Sequence, residues 1–252
     1  MTIPFPKRKV TRAVAQAELA ILEQTYPAAV TALEYANPFQ LLIAVILSAQ
    51  CTDARVNLTT PHLFAKYPDA AALARADTAD VERIIKSCGF FRMKAKNIVN
   101  ASRALVEGYG GTVPREREQL EALPGVGRKT AAVVMSVAFK AAAFAVDTHV
   151  FRVSHRLGLT LGKTPRDVED DVTQLVPPEQ WRHAHHWLIL HGRAICKAPT
   201  PLCGACPVTM CPSRAIVARA FSAKAAAGPS LPSGRGAATP RPVRAPSKGR
   251  SR

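Results

Sequence analysis

Leu123-Pro124-Gly125-Val126-Gly127-Arg128-Lys129-Thr130 joins two segments whose apolar residues recur at helical spacing. The reading of this stretch decides the fold. Two glycines in a short connection allow positive φ and close approach of a second backbone, so the spacing predicts a tight helix–turn–helix. The segment before it, Glu116 to Leu123, is short. The segment after it, Lys129 to Phe139, is apolar almost all round, and such a helix must be central and buried. The turn amides and the free N–H groups that open the second helix form a ready site for one phosphate oxygen. Gly125, Val126, Gly127 and Arg128 are therefore candidate DNA-backbone contacts. Such contacts position a duplex without reading its sequence.

Lys129 falls in the first turn of that central helix. There the helix dipole disfavours an ammonium, and burial would disfavour it further. Both favour a neutral amine able to act as a nucleophile. A lysine that only binds phosphate fits the same position, and local physics leaves the two readings open.

Working outward, helical patterning continues in both directions. Ala15, Leu19, Leu22 and Tyr26 recur at helix spacing, and Pro27 ends that helix. Phe39 to Gln50 reads as a second, nearly all-apolar helix. Asp53 is placed to cap a third that runs to Tyr67-Pro68. Thr78 or Asp77 can cap Val81 to Ser87, with Gly89 as the residue after its end. Thr164-Pro165 with Asp167 gives a hydroxyl cap, a proline at the first position and an acid in the first turn. Pro177-Pro178 opens a helix from Trp181 to His191. Ala143 to Val146 suits an extended conformation, but one short strand makes no sheet. The fold class is all-α.

Val146-Asp147-Thr148-His149 precedes an apolar helical pattern that ends at Gly158. Asp147 suits an N-cap, which alone would explain it. The capping bonds also favour the ionised carboxylate, which beside a reactive lysine can take a proton or stabilise a cation.

Cys196-x6-Cys203-x2-Cys206-x4-Cys211 packs four thiols into sixteen residues among prolines. Four thiolates at such spacing suit a tetrahedral metal, either zinc or an iron–sulfur cluster. Cys51 and Cys88 stand apart and read as small buried hydrophobes. His183, His185, His186 and His191 share one helix with two tryptophans, where packing or helix-end hydrogen bonding explains them.

The chain carries 34 Lys and Arg against 18 Asp and Glu, a formal charge of +16 over 252 residues. Nine of those cations lie from Arg214 onward, where no acid occurs. Setting them aside leaves about +7, still a pull towards a polyanion. Residues 1–14 read as a flexible basic arm and 214–252 as a disordered basic tail, because neither carries enough apolar surface to offset ordering entropy. The longest apolar run, Leu41 to Leu47, is far too short to span a bilayer. No membrane partner is expected. With no secretory leader, the chain is expected in a bacterial cytoplasm, associated with the nucleoid, where thiols stay reduced.

Taken together in this order, these motifs resemble the endonuclease III family of DNA glycosylase/AP lyases, of the helix-hairpin-helix superfamily. Ile46-Leu47-Ser48-Ala49-Gln50-Cys51-Thr52-Asp53 and His186-Trp187-Leu188-Ile189-Leu190-His191-Gly192 resemble its sequences too, and the similarity covers residues 15–212. The resemblance implies two helical domains with DNA in the cleft between them. One is a six-helix barrel with the hairpin (31–141). The other is an iron–sulfur cluster domain (15–30 plus 142–213). It implies Lys129 as catalytic lysine, Asp147 as catalytic aspartate, and Gln50 as the residue that fills the gap left by a flipped base. It implies a [4Fe–4S] cluster on Cys196, Cys203, Cys206 and Cys211, with zinc as the lesser alternative. The implied activity is bifunctional: excision of oxidised pyrimidines from double-stranded DNA, then β-elimination 3′ to the abasic site through a Lys129 Schiff base, by a monomer. A non-catalytic hairpin protein with a structural metal is the competing reading. The last cysteine gap has four residues where the family usually has five, and Gly89 to Lys94 is unusually aromatic for its loop.

Overall fold

The computed structural model describes residues 3–226, which form twelve α-helices and no strand. The all-α expectation holds. The helices are α1 (Arg12–Thr25), α2 (Pro38–Leu47), α3 (Asp53–Lys66), α4 (Ala70–Ala74), α5 (Thr78–Ile84), α6 (Phe91–Tyr109), α7 (Arg117–Glu121), α8 (Arg128–Ala138), α9 (Thr148–Arg156), α10 (Pro165–Thr173), α11 (Trp181–Ala194) and α12 (Ser213–Ala226). None of the described helices is long and apolar enough to cross a membrane.

Short polar side chains set most of the starts. Asn37 caps α2 ahead of Pro38, and Thr164 forms a full capping box with Asp167 at α10. Three boundaries differ from the sequence reading. Thr52, not Asp53, caps α3: the threonine hydroxyl accepts from the Arg55 amide, and Asp53 takes the first helical position, where an acid complements the dipole. Helix α2 stops at Leu47, so Gln50 lies beyond it with a left-handed backbone, φ 52°. Asp77 caps α5, and the left-handed residue of the following turn is Phe90 (φ 55°) rather than Gly89.

Buried apolar side chains fall into two clusters. The first runs from Leu33 to Ala145 and is centred on α2, α6 and α8. The second gathers residues between Ala15 and Ala29, in and just after α1, with residues between Phe144 and Val208 that lie mostly on α9, α10 and α11. Between them, Ala143 and Ala145 join the first cluster while Phe144 and Val146 join the second. That is the two-residue alternation of an extended backbone. One short segment thus seals both cores.

Both ends depart from expectation. The N-terminal arm is docked. Ile3 and Pro6 are buried, and the Phe5 ring lies 4.8 Å from that of His155. Lys9 pairs with Asp171 at 2.6 Å, and the Val10 amide donates to Gly158 O at 3.0 Å. Few apolar residues suffice here, because each meets a prepared surface. The expected tail begins as helix α12, with Val217 buried; the disorder expected of 227–252 falls outside the described residues.

Candidate active site

The hairpin builds its turn from Gly125, at φ 79°. A Cβ there would fall 2.8 Å from Asn97 Cβ on α6, so glycine is required both by conformation and by packing. Gly127 is different. Its backbone is extended (φ −100°, ψ 178°), and a Cβ would meet nothing within 4 Å. It caps α8 without any side-chain bond. Among the described residues, the Gly127 and Lys129 amides donate to no backbone carbonyl. These donors stand at a helix N-terminus with open space beside Gly127, an arrangement suited to an anion. Val126 plays another part than expected. Its side chain is buried in the first cluster, and its amide donates to Leu123 O at 3.0 Å.

Arg128 is also committed. Its Nε donates to Glu169 Oε2 on α10 at 2.8 Å, and Arg117 reaches the same carboxylate at 3.3 Å. This nearly buried glutamate ties the hairpin to the second cluster.

Lys129 and Asp147 line one pocket, together with Val133, His185 and Ser48. Lys129 is exposed, not buried as its place in the central helix suggested. Asp147 begins α9. Its Oδ1 accepts from the His149 and Val150 amides, both at 2.8 Å, and His149 Nδ1 lies 3.4 Å from Oδ2. Burial works to raise its pKa. The Val150 amide and the nearby His185, His149 and Lys129 outweigh it and hold the carboxyl below the usual range. The carboxylate is thus both cap and fixed negative charge.

His185, treated in the sequence as packing, belongs to this pocket. Complete burial, with His186 beside it, drives it down to about 3, so the ring is neutral. Its Nδ1 lies 2.6 Å from Ala145 O. A carbonyl only accepts, so Nδ1 carries the proton and Nε2 the lone pair. Asp53 and Arg193 also line the pocket and pair at 3.0 Å from α3 to α11. Sequence reasoning missed His185, Arg193 and Glu169, because each is joined to its partner over 40 residues or more. Gln50 sits exposed on the 48–52 turn beside the pocket.

Cys196, Cys203, Cys206 and Cys211 line a separate small pocket with Arg156 and His191. Arg156 Nη1 donates to Cys196 Sγ at 3.4 Å and to the Cys196 and Lys197 carbonyls. His191 Nε2 lies 3.6 Å from Cys206 Sγ. Burial pushes the Cys203, Cys206 and Cys211 thiols up, Cys211 to about 12. Such thiols keep their protons until a metal displaces them. Four soft sulfurs around one pocket, one of them faced by a guanidinium N–H and another by an imidazole nitrogen, fit a thiolate-bound group. No three His, Cys, Asp or Glu side chains among the described residues are grouped to hold a single ion.

Residues 43–178 match the model of the HhH-GPD superfamily base excision DNA repair proteins. The chain is 52% identical to an endonuclease III of Synechocystis sp. over 197 residues, spanning 77% of this chain and 90% of that one. It is 46% identical to endonuclease III of Escherichia coli K12, over 75% of this chain and 89% of the relative. Among solved structures it is similar to a trapped endonuclease III–DNA covalent intermediate, with TM-score 0.79 and 44% identity over 82% of this chain and 98% of that one.

Proposed function

Because this chain belongs to the endonuclease III family of the HhH-GPD superfamily, a family of base excision repair glycosylase/lyases, we propose that Lys129 is its nucleophile and Asp147 its catalytic carboxylate, acting on oxidised pyrimidines in duplex DNA. The observation that carries this reading is their meeting in one pocket from the first turns of two different helices.

The duplex lies across the hairpin, with a phosphate on the amides at Gly127 and Lys129. Gln50 enters the stack as the damaged nucleotide turns out. Flipping costs least for a badly stacked base, which favours lesions. The Lys129 amine attacks the sugar C1′ and the base leaves. Asp147, ionised and fixed by two amides, takes the lysine proton and stabilises the cationic sugar. The nitrogen lone pair then expels O4′, which takes up a proton, and the open chain is left as a protonated Schiff base. Loss of a C2′ proton drives β-elimination: the 3′ C–O bond breaks and the 3′ phosphate leaves. His185 stays neutral through this sequence and keeps the pocket wall from adding a second cation.

Cys196, Cys203, Cys206 and Cys211 are the residues to hold a [4Fe–4S] cluster, which when bound closes the 196–211 loop as a structural cross-link. Iron and acid-labile sulfide in the purified protein, without zinc, are the expected analysis. We read residues 31–141 as one domain and 15–30 with 142–213 as the other, following the two apolar clusters.

Borohydride trapping tests the nucleophile. A duplex with an oxidised pyrimidine, or an abasic site, is expected to become covalently attached to the native protein and not to Lys129→Ala. Equal trapping by the variant would assign the nucleophile elsewhere.

A further inference from the structure

We propose that Cys51 and Cys88 form an oxidant-responsive thiol pair that closes to a disulfide in the presence of a peroxide and ties the 48–52 turn to the 87–91 turn. The two turns are already in contact: a Cβ on Gly89 would lie 3.5 Å from Gln50 O. Each turn is closed by its cysteine, the Cys51 amide donating to Ser48 O at 3.1 Å and the Cys88 amide to Ile85 O at 2.8 Å. The thiols lie within interaction range of each other, and Cys88 Sγ is 3.8 Å from Thr59 Oγ1. Cys51 is partly exposed and Cys88 fully buried, which suits an attacked thiol and a resolving thiol respectively.

A buried cation marks the pair. Lys94 is 4% exposed, and its Nζ donates to Leu47 O at 2.8 Å. Burial holds the Lys94 amine below the usual lysine range, while the neighbouring Cys51 and Cys88 thiols act in the opposite direction. Burial pushes the Cys88 thiol up, against the opposing pull of Lys94, so the partly exposed Cys51 is the thiol that meets the peroxide first. The Cys51 thiolate attacks a peroxide oxygen, forming an S–O bond, and the other oxygen leaves as alcohol or water. Cys88 sulfur then attacks Cys51 sulfur. The S–S bond forms, the S–O bond breaks, and hydroxide departs with the Cys88 proton as water. Two thiols supply two electrons to one peroxide.

The consequence falls on the tips above the pair. Gln50 and Phe90 both hold left-handed backbones, and Phe90 is 70% exposed. Non-glycine residues there are strained and depend on their surroundings. A covalent tie beneath them changes the spacing of the two turns, so the oxidised form grips damaged DNA less well. This second effect rests on Gln50 as a DNA contact; the disulfide itself does not.

The test uses the holoprotein with stoichiometric hydrogen peroxide, its visible absorbance followed so that the cluster stays intact. Non-reducing peptide mapping should find Cys51 linked to Cys88, and thiol reductant should release it. Lys94→Met should slow the linkage severalfold. Affinity for a duplex with an abasic-site analogue should fall severalfold on oxidation in the native protein and stay constant in Cys51→Ala. Unlinked Cys51 and Cys88 peptides at peroxide levels that leave the absorbance unchanged overturn the pair. Linkage at the native rate in Lys94→Met overturns the role of the lysine. Linkage without loss of affinity overturns the effect on DNA, and with trapping intact it does so without touching the function of Lys129.

Discussion

Helices α8 and α9 begin at the same pocket, yet their first turns are finished in opposite ways. At α9 the Asp147 carboxylate occupies the helix N-terminus and satisfies two amides. At α8 Gly127 offers no side chain, and the Gly127 and Lys129 amides have no backbone acceptor among the described residues. A helix N-terminus draws one negative charge. One helix carries its own, and the other leaves the place for a phosphate. Lys129 stands in the bare turn and Asp147 closes the other, so the pocket has a fixed anion and a free anion site side by side.

The comparison is broken most sharply at Asp147. Asparagine keeps an oxygen that can accept from His149 and Val150 but removes the charge. If Asp147 acts on the reaction, Asp147→Asn loses about 10²–10⁴-fold in base excision, the scale of general acid–base catalysis. Binding to an undamaged duplex should change little. The acid behaviour of the fold gives a second readout. The carboxyl is held below the usual range, so its stabilisation is complete above the ordinary carboxylate value and is lost as pH falls through the lowered one. Thermal unfolding of the variant should lack that loss. Full excision activity in Asp147→Asn would reduce the residue to a cap.

Gly127 is the converse experiment, because it fills the bare turn. The space at its Cβ is open and its φ suits any residue, so Gly127→Asp gives α8 the finish of α9. Stability should change by only a few tenths of a kcal/mol, since aspartate and glycine differ little as caps. DNA affinity should drop by about tenfold or more, where each factor of ten is about 1.4 kcal/mol, because a carboxylate then holds the phosphate's place. Denaturant unfolding beside a binding titration separates the two. Unchanged affinity would mean that α8 does not receive a phosphate.

Several helix starts were readable because caps are local: a short polar side chain bonds an amide two or three residues on. Thr164 and Asp147 were legible for that reason. The hairpin and the four cysteines were legible because their spacing is short. What joins the halves was not. Glu169 reaches Arg128 across 41 positions and Arg193 reaches Asp53 across 140. Nothing near Glu169 in the chain distinguishes it from Asp170. The docked N-terminus failed for a related reason. Ile3, Pro6 and Val10 look sparse in sequence, and only the surface they meet makes them sufficient. Lys129 itself was placed correctly in the first turn, while its exposure depends on how the two clusters leave the pocket open.

The two glycines of the hairpin refine the comparison at its smallest scale. Gly127 is there for what approaches from outside, Gly125 for what lies beneath. Gly125→Ala forces a side chain into a left-handed backbone and against Asn97. It should cost about 1–3 kcal/mol of stability, the usual range for such strain, as a lowered unfolding midpoint. Because the bare amides of α8 are two residues away and keep their direction, the folded fraction should retain most of its DNA affinity. Gly127→Asp and Gly125→Ala thus predict opposite signatures from neighbouring glycines. The same signature from both would mean that the turn acts as one rigid unit, with no division between the residue that shapes it and the residue that leaves room for DNA.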